Sequence, residues 1–127
     1  MKCLLDTCAL IWLGMGGGSL SDDARRRISA AAQLCYSSIS VWELARLKEE
    51  GKLRIPVAAD VFMSDLAEAY GLTSLPPTDA IMLRAAQLPN HHRDPADRII
   101  IATALIHGLP VVTGDEKFPK YGIRTIS

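Results

Sequence analysis

Four carboxylates in this 127-residue chain stand where an apolar run gives way. Asp6 ends the run Lys2-Cys3-Leu4-Leu5-Asp6, and Asp115 follows Val111-Val112-Thr113. Glu43 falls in the first turn of the helix expected after Leu34-Cys35-Tyr36, and Asp97 in the first turn of one opened by Asp94 and Pro95. If the four meet, like charges about 4 Å apart repel by about 4 kcal/mol at an effective dielectric of about 20. Either some of them take up protons or a cation neutralises them. All-oxygen donors favour a hard ion, Mg²⁺ or Mn²⁺. Such an ion can activate water and offset charge on a phosphodiester.

Three of the four acids also have a structural explanation. Ser40-Val41-Trp42-Glu43 has the spacing of a capping box. Asp97 at the third helical position suits the helix dipole, and Asp115 after Gly114 suits a turn. Asp6 is harder to dismiss, because carboxylates are rarely buried without partners. The coincidence of all four favours the chemical reading.

That coincidence needs elements to create it. The pattern predicts a strand at 2–6, a helix at 7–13 ended by Gly14 and the Gly16–Ser19 loop, and a second helix capped by Ser21. A strand at 34–36 leads to a helix opened by Ser40 and running to Gly51. Pro56 suits the start of a fourth helix with the stripe Ala58, Phe62, Leu66, Ala69 and Tyr70. A strand at 72–75, a helix capped by Thr78, a central apolar helix from Pro95 to His107, and strands at 111–113 and 123–126 complete the chain. Strands alternating with helices imply right-handed crossovers and a mostly parallel sheet. Its strand C-termini and helix N-termini share one edge, so four acids distant in sequence can meet there. The length suits a single domain over 1–127.

Composition narrows the setting. Fourteen basic and fourteen acidic residues cancel, so net charge does not announce a nucleic-acid partner. Three cysteines with no C-x-x-C pair fit reduced thiols and no zinc site. Cys3 and Cys35 read as core, and Cys8 has no assigned role. No targeting segment or membrane span is legible, and a cytoplasmic location is expected.

Four stretches resemble the PIN-domain ribonucleases, specifically the VapC-type toxins of toxin–antitoxin pairs. They are Leu4-Leu5-Asp6-Thr7, Ser37 to Ala45, Leu88-Pro89 with His92-Arg93-Asp94-Pro95-Ala96-Asp97-Arg98, and Leu109 to Asp115. The resemblance covers almost the whole chain, and the His-Arg-Asp-Pro-x-Asp-Arg run is its most specific part. It implies a three-layer α/β/α sandwich and Mg²⁺- or Mn²⁺-dependent cleavage of RNA. By motif match, Asp6 and Asp97 would be the main metal ligands, Glu43 and Asp115 would complete the site, and Thr7 and Thr113 would support it. An antitoxin partner and a homodimer are implied in the same way. Ala96 departs from the pattern, where an aromatic residue is usual.

Other residues are assigned ordinary roles. Asp94 caps its helix, Arg98 forms a structural ion pair, and His91 and His92 lie in a solvated loop. Trp12 and Trp42 are core, or border a groove for an antitoxin segment. Lys117 and Lys120 could meet phosphate. A phosphoacceptor receiver would want an acidic pair after the first strand and a lysine at the end of a late one; Asp6 stands alone before Thr7. A binding protein without chemistry would have no need of four acids.

Overall fold

A computed structural model describes residues 1–16 and 18–127. Gly17, within the expected Gly16–Ser19 loop, lies outside the described residues. The elements run β1 (Lys2–Leu5), α1 (Thr7–Gly14), α2 (Asp22–Ala30), β2 (Gln33–Ser37), α3 (Ile39–Glu49), α4 (Ala59–Tyr70), β3 (Leu72–Leu75), α5 (Asp79–Gln87), α6 (Pro95–His107), β4 (Val111–Val112) and β5 (Thr125–Ile126). A 3-10 turn, Phe118–Tyr121, separates the last two strands.

All five strands are parallel, in the order β3-β2-β1-β4-β5. The sheet is therefore wholly, not mostly, parallel. Strand residues alternate between two apolar layers. Cys3, Leu5, Leu34, Val112 and Ile126 pack with α1, α2 and α4 and with Leu44 of α3. Leu4, Cys35 and Val111 pack with Ile81 and Ala85 of α5 and with Ile100, Ile101 and Ala104 of α6. The result is the expected α/β/α sandwich.

The sheet order creates a crevice. β1 feeds β2 on one side, while β4 joins β1 on the other, so connections leave the β1/β4 boundary in opposite directions. Ligands of open parallel sheets bind at such a switch point, beyond the strand C-termini. The Asp6 amide donates to the Val112 carbonyl at 3.1 Å, fixing the two strand ends to each other.

Several local expectations need correction. Glu43 is in the second turn of α3, not the first, because the helix begins at Ile39. Ser40 is not a cap; Ser38 occupies that position, and the Ser40 hydroxyl instead meets the Thr7 hydroxyl at 2.9 Å. α4 begins at Ala59, not at Pro56, and buries Ala59, Met63 and Leu66. Its inward face is thus shifted from the expected stripe, leaving Ala58, Ala69 and Tyr70 exposed. β5 is half the expected length, because the 3-10 turn and the residues after it occupy the connection. Trp42 is 51% exposed and not core.

Arg98 forms no ion pair among the described residues. Its guanidinium donates to the carbonyls of Ala85 and Leu88, both at 2.8 Å, and to those of Pro89 at 3.1 Å and His92 at 3.3 Å. It thereby ties together the carbonyls at the end of α5 and in the turn that follows it. Arg98→Ala is expected to cost about 3 kcal/mol of unfolding free energy, read as a lower denaturation midpoint. Arg98→Lys should recover little of it, since a point charge cannot replace the fork.

Candidate active site

Asp6 is the N-cap of α1 and not the last residue of β1; its Oδ1 accepts the Ala9 amide at 2.8 Å. Only 4% of its surface reaches solvent. Burial pushes its carboxyl up to about 6, against the Thr113 hydroxyl and the Ala9 amide, which hold it down. Asp97 occupies the third position of α6, after the expected Asp94 cap, which accepts the Ala96 amide at 2.9 Å. Partial burial, then the charges of Asp94, Glu43, Asp6 and Asp115, push Asp97 up to about 7.

Glu43 is buried, and its Oε1 has no hydrogen-bond partner. Burial raises its pKa, Thr7 lowers it, and Asp94 raises it further. Arg46 approaches the other oxygen only to 3.8 Å while also pairing with Glu50 at 3.4 Å. Arg46 also lies over the exposed Trp42 ring, 5.2 Å from its centroid.

Asp115 behaves differently. Partial burial pushes its carboxyl up, but the Lys117 amide, then His92, then the Lys117 charge outweigh it, and the net shift is downward. Its Oδ1 accepts the Lys117 amide at 2.8 Å, and its Oδ2 lies 2.8 Å from His92 Nε2. The Asp115 amide donates to the Thr113 hydroxyl oxygen at 3.0 Å. Thr113 therefore touches the settings of both Asp6 and Asp115, from just beyond the end of β4. Thr7, buried at the first position of α1, connects Ser40 to Glu43 in the same way.

His92 was not expected here. It is 8% exposed, not solvated, because Phe118 and Tyr121 from the 3-10 turn close over it. His92 opens the His-Arg-Asp-Pro-x-Asp-Arg run, which places it near the strand-end edge without saying whether its ring turns inward. His92, Asp97 and Asp115 each bring one ligand atom within 4.8 Å of the others. Asp6 and Glu43 stand outside that set but contribute to the field on Asp97.

The Cys8 thiol adds a probe of that field. Cys8 is exposed, but partial desolvation by its neighbours and then the charges of Asp6, Asp97, Glu43 and Asp115 push its thiol up to about 12. One neighbouring group thus senses all four acids. Three of those acids bind protons more tightly than usual, and one holds an orphaned buried oxygen. Both observations fit a site made for a cation. The space between Asp97 and Asp115, beside His92, is small enough for one ion.

A model of the PIN domain matches residues 3–123. The chain belongs to the PIN domain family. Among curated proteins, this PIN domain is 33% identical over 115 residues to Ribonuclease VapC22 of Mycobacterium tuberculosis, covering 90% of this chain and 87% of that protein. Among solved structures it resembles a toxin–antitoxin complex from Klebsiella pneumoniae, with TM-score 0.68 and 22% identity over 98% of this chain and 96% of that one. It also resembles VapC20 of Mycobacterium tuberculosis, a sarcin-ricin loop cleaving toxin, with TM-score 0.70 and 16% identity over 97% and 96%. At those identities the two structures establish the PIN fold. No helix among the described residues is long and apolar enough to cross a membrane.

Proposed function

We propose that this PIN domain is a divalent-metal-dependent endoribonuclease, a toxin restrained in the cytoplasm by an antitoxin protein. The observation that carries it is the crevice at the β1/β4 boundary. There two carboxyls are pushed up to about 6 and about 7 beside a third that is kept ionised. VapC22 supports the nuclease reading by its name, and the Klebsiella pneumoniae complex supports a protein partner. An apolar groove between α1 and α4, lined by Leu13, Ile55, Phe62, Leu66 and Tyr70, offers a surface for an apolar segment of that partner.

Asp6 and Asp97 would hold Mg²⁺ or Mn²⁺, with Asp115 beside them. When bound, the ion supplies positive charge against the phosphodiester and makes a water acidic enough to attack. Glu43 Oε1, free of other partners, is placed to accept a proton. Asp115 remains an anion throughout and accepts hydrogen bonds. Thr7 and Thr113 hold the carboxylates in place.

The test is cleavage of RNA by purified protein with Mg²⁺ or Mn²⁺, against a chelator control. Cleavage that survives chelation, or none with either ion, overturns the reading. Metal affinity should also depend on pH. Below about 7 Asp97 carries a proton that binding must displace, and below about 6 so does Asp6. Affinity is therefore expected to fall as pH is lowered, by about tenfold per pH unit for each proton displaced. Calorimetry in two buffers of different ionisation heat reads that proton release directly.

A further inference from the structure

His92 lies in a chain of hydrogen bonds that joins Tyr121 to Asp115. The His91 backbone amide donates to the Tyr121 hydroxyl oxygen at 3.1 Å. That hydroxyl lies 3.0 Å from His92 Nδ1, and His92 Nε2 lies 2.8 Å from Asp115 Oδ2. An ionised carboxylate only accepts, so the Nε2 proton belongs to His92. In the neutral ring Nδ1 is then an acceptor, and the Tyr121 O–H donates to it. Aromatic packing holds the ring in place. Phe118 meets its edge at 5.2 Å, and Tyr121 stacks on it at 5.5 Å.

The far end of this chain is the acid that completes the crevice. With Oδ1 on the Lys117 amide and Oδ2 on His92, both Asp115 oxygens have a fixed donor. These two bonds fix the orientation of the carboxylate. Nε2, as a donor to Asp115, has no lone pair left for a cation. The His92/Asp97/Asp115 group is therefore two oxygen ligands and one support. Carboxylate–histidine contacts of this kind commonly orient a ligand without joining it.

We propose that His92 is a positioning residue for Asp115, and that Tyr121 holds its ring in the tautomer this role requires. The inference rests on the metal-dependent nuclease reading. Tyr121 meets Asp115 through the ring of His92.

Three variants test it. His92→Leu removes the donor and should weaken Mg²⁺ or Mn²⁺ affinity, or cleavage, by about 10–100-fold. His92→Gln can place an amide N–H close to Nε2 and should recover most of that loss. Tyr121→Phe frees the tautomer and should give a smaller loss. Thermal unfolding identifies variants that fold. The second readout is the imidazole nitrogen spectrum of the protein labelled at histidine. His92 should show a proton on Nε2 without metal and keep it when Mg²⁺ is added. A proton on Nδ1, loss of the Nε2 proton on adding Mg²⁺, or a His92→Gln variant as weak as His92→Leu would overturn the proposal. If the wild type cleaves no RNA, the nuclease reading fails, while the spectrum and the metal affinities still decide the role of His92.

Discussion

Replacing Asp97 with asparagine should abolish metal-dependent cleavage, by at least about a hundredfold, and make the metal-free protein more stable at pH 8. The two effects have one origin. The ordinary aspartate pKa is about 4, and in the fold Asp97 sits at about 7. Below pH 4 both folded and unfolded chains hold the proton, and the group is neutral to stability. Between about 4 and 7 the unfolded chain releases it while the folded chain keeps it, so stability falls as pH rises. Above about 7 the penalty is complete. Asp97→Asn removes it and should raise the melting temperature by roughly 5 °C. Against this stands the favourable charge at the third position of α6, about 0.5 kcal/mol, which is the smaller effect. A melting scan at pH 8 and pH 5 without metal checks the sign, because the gain should shrink at the lower pH. If Asp97 served only the helix dipole, the same substitution would lower the melting temperature and leave cleavage unchanged.

Asp6 allows a sharper separation, because its cap and its charge can be removed one at a time. Asparagine caps a helix about as well as aspartate, so Asp6→Asn should keep the bond to the Ala9 amide and leave α1 intact. Cleavage should nonetheless fall by at least about a hundredfold. Asp6→Ala loses the cap as well and should unfold about 1 kcal/mol more easily than Asp6→Asn. Cleavage by Asp6→Asn at the wild-type rate would place Asp6 in the fold and outside the chemistry. Paired chemical denaturation and RNA cleavage on the two variants supply both halves.

What the sequence made legible was what depends on near neighbours. The Asp94-Pro95 cap, the Gly108 stop and the apolar runs of β1, β2 and β4 are local signals, and each element formed where its signal lay. Ser40 shows the limit of such reading. Its spacing to Glu43 satisfies a capping box, yet its hydroxyl turns to Thr7, a partner the helix pattern cannot contain. Arg98 beside Asp97 suggested an ion pair, but its partners are carbonyls at the end of another helix. His92 read as solvated because a histidine pair near a proline is polar in isolation. It is buried by Phe118 and Tyr121, which approach from a turn for which no pattern was assigned. Of the site, the four acids were visible, and Thr7 and Thr113 were marked by resemblance; the packing of His92 and Tyr121 against Asp115 was not, because those contacts join distant elements.

The two-residue strand β4 has a consequence for the order in which the molecule is made. Val112 pairs with Leu5, and its carbonyl receives the Asp6 amide, so residues far apart along the chain must meet before the crevice has two walls. Contacts of such long separation carry a high closure entropy and tend to form late. A polypeptide still under synthesis can display Asp6, Glu43 and Asp97 without a place to bring them to bear. The crevice therefore gains its second wall only once Val112 has been synthesised and has paired with Leu5, long after Asp6 has been made.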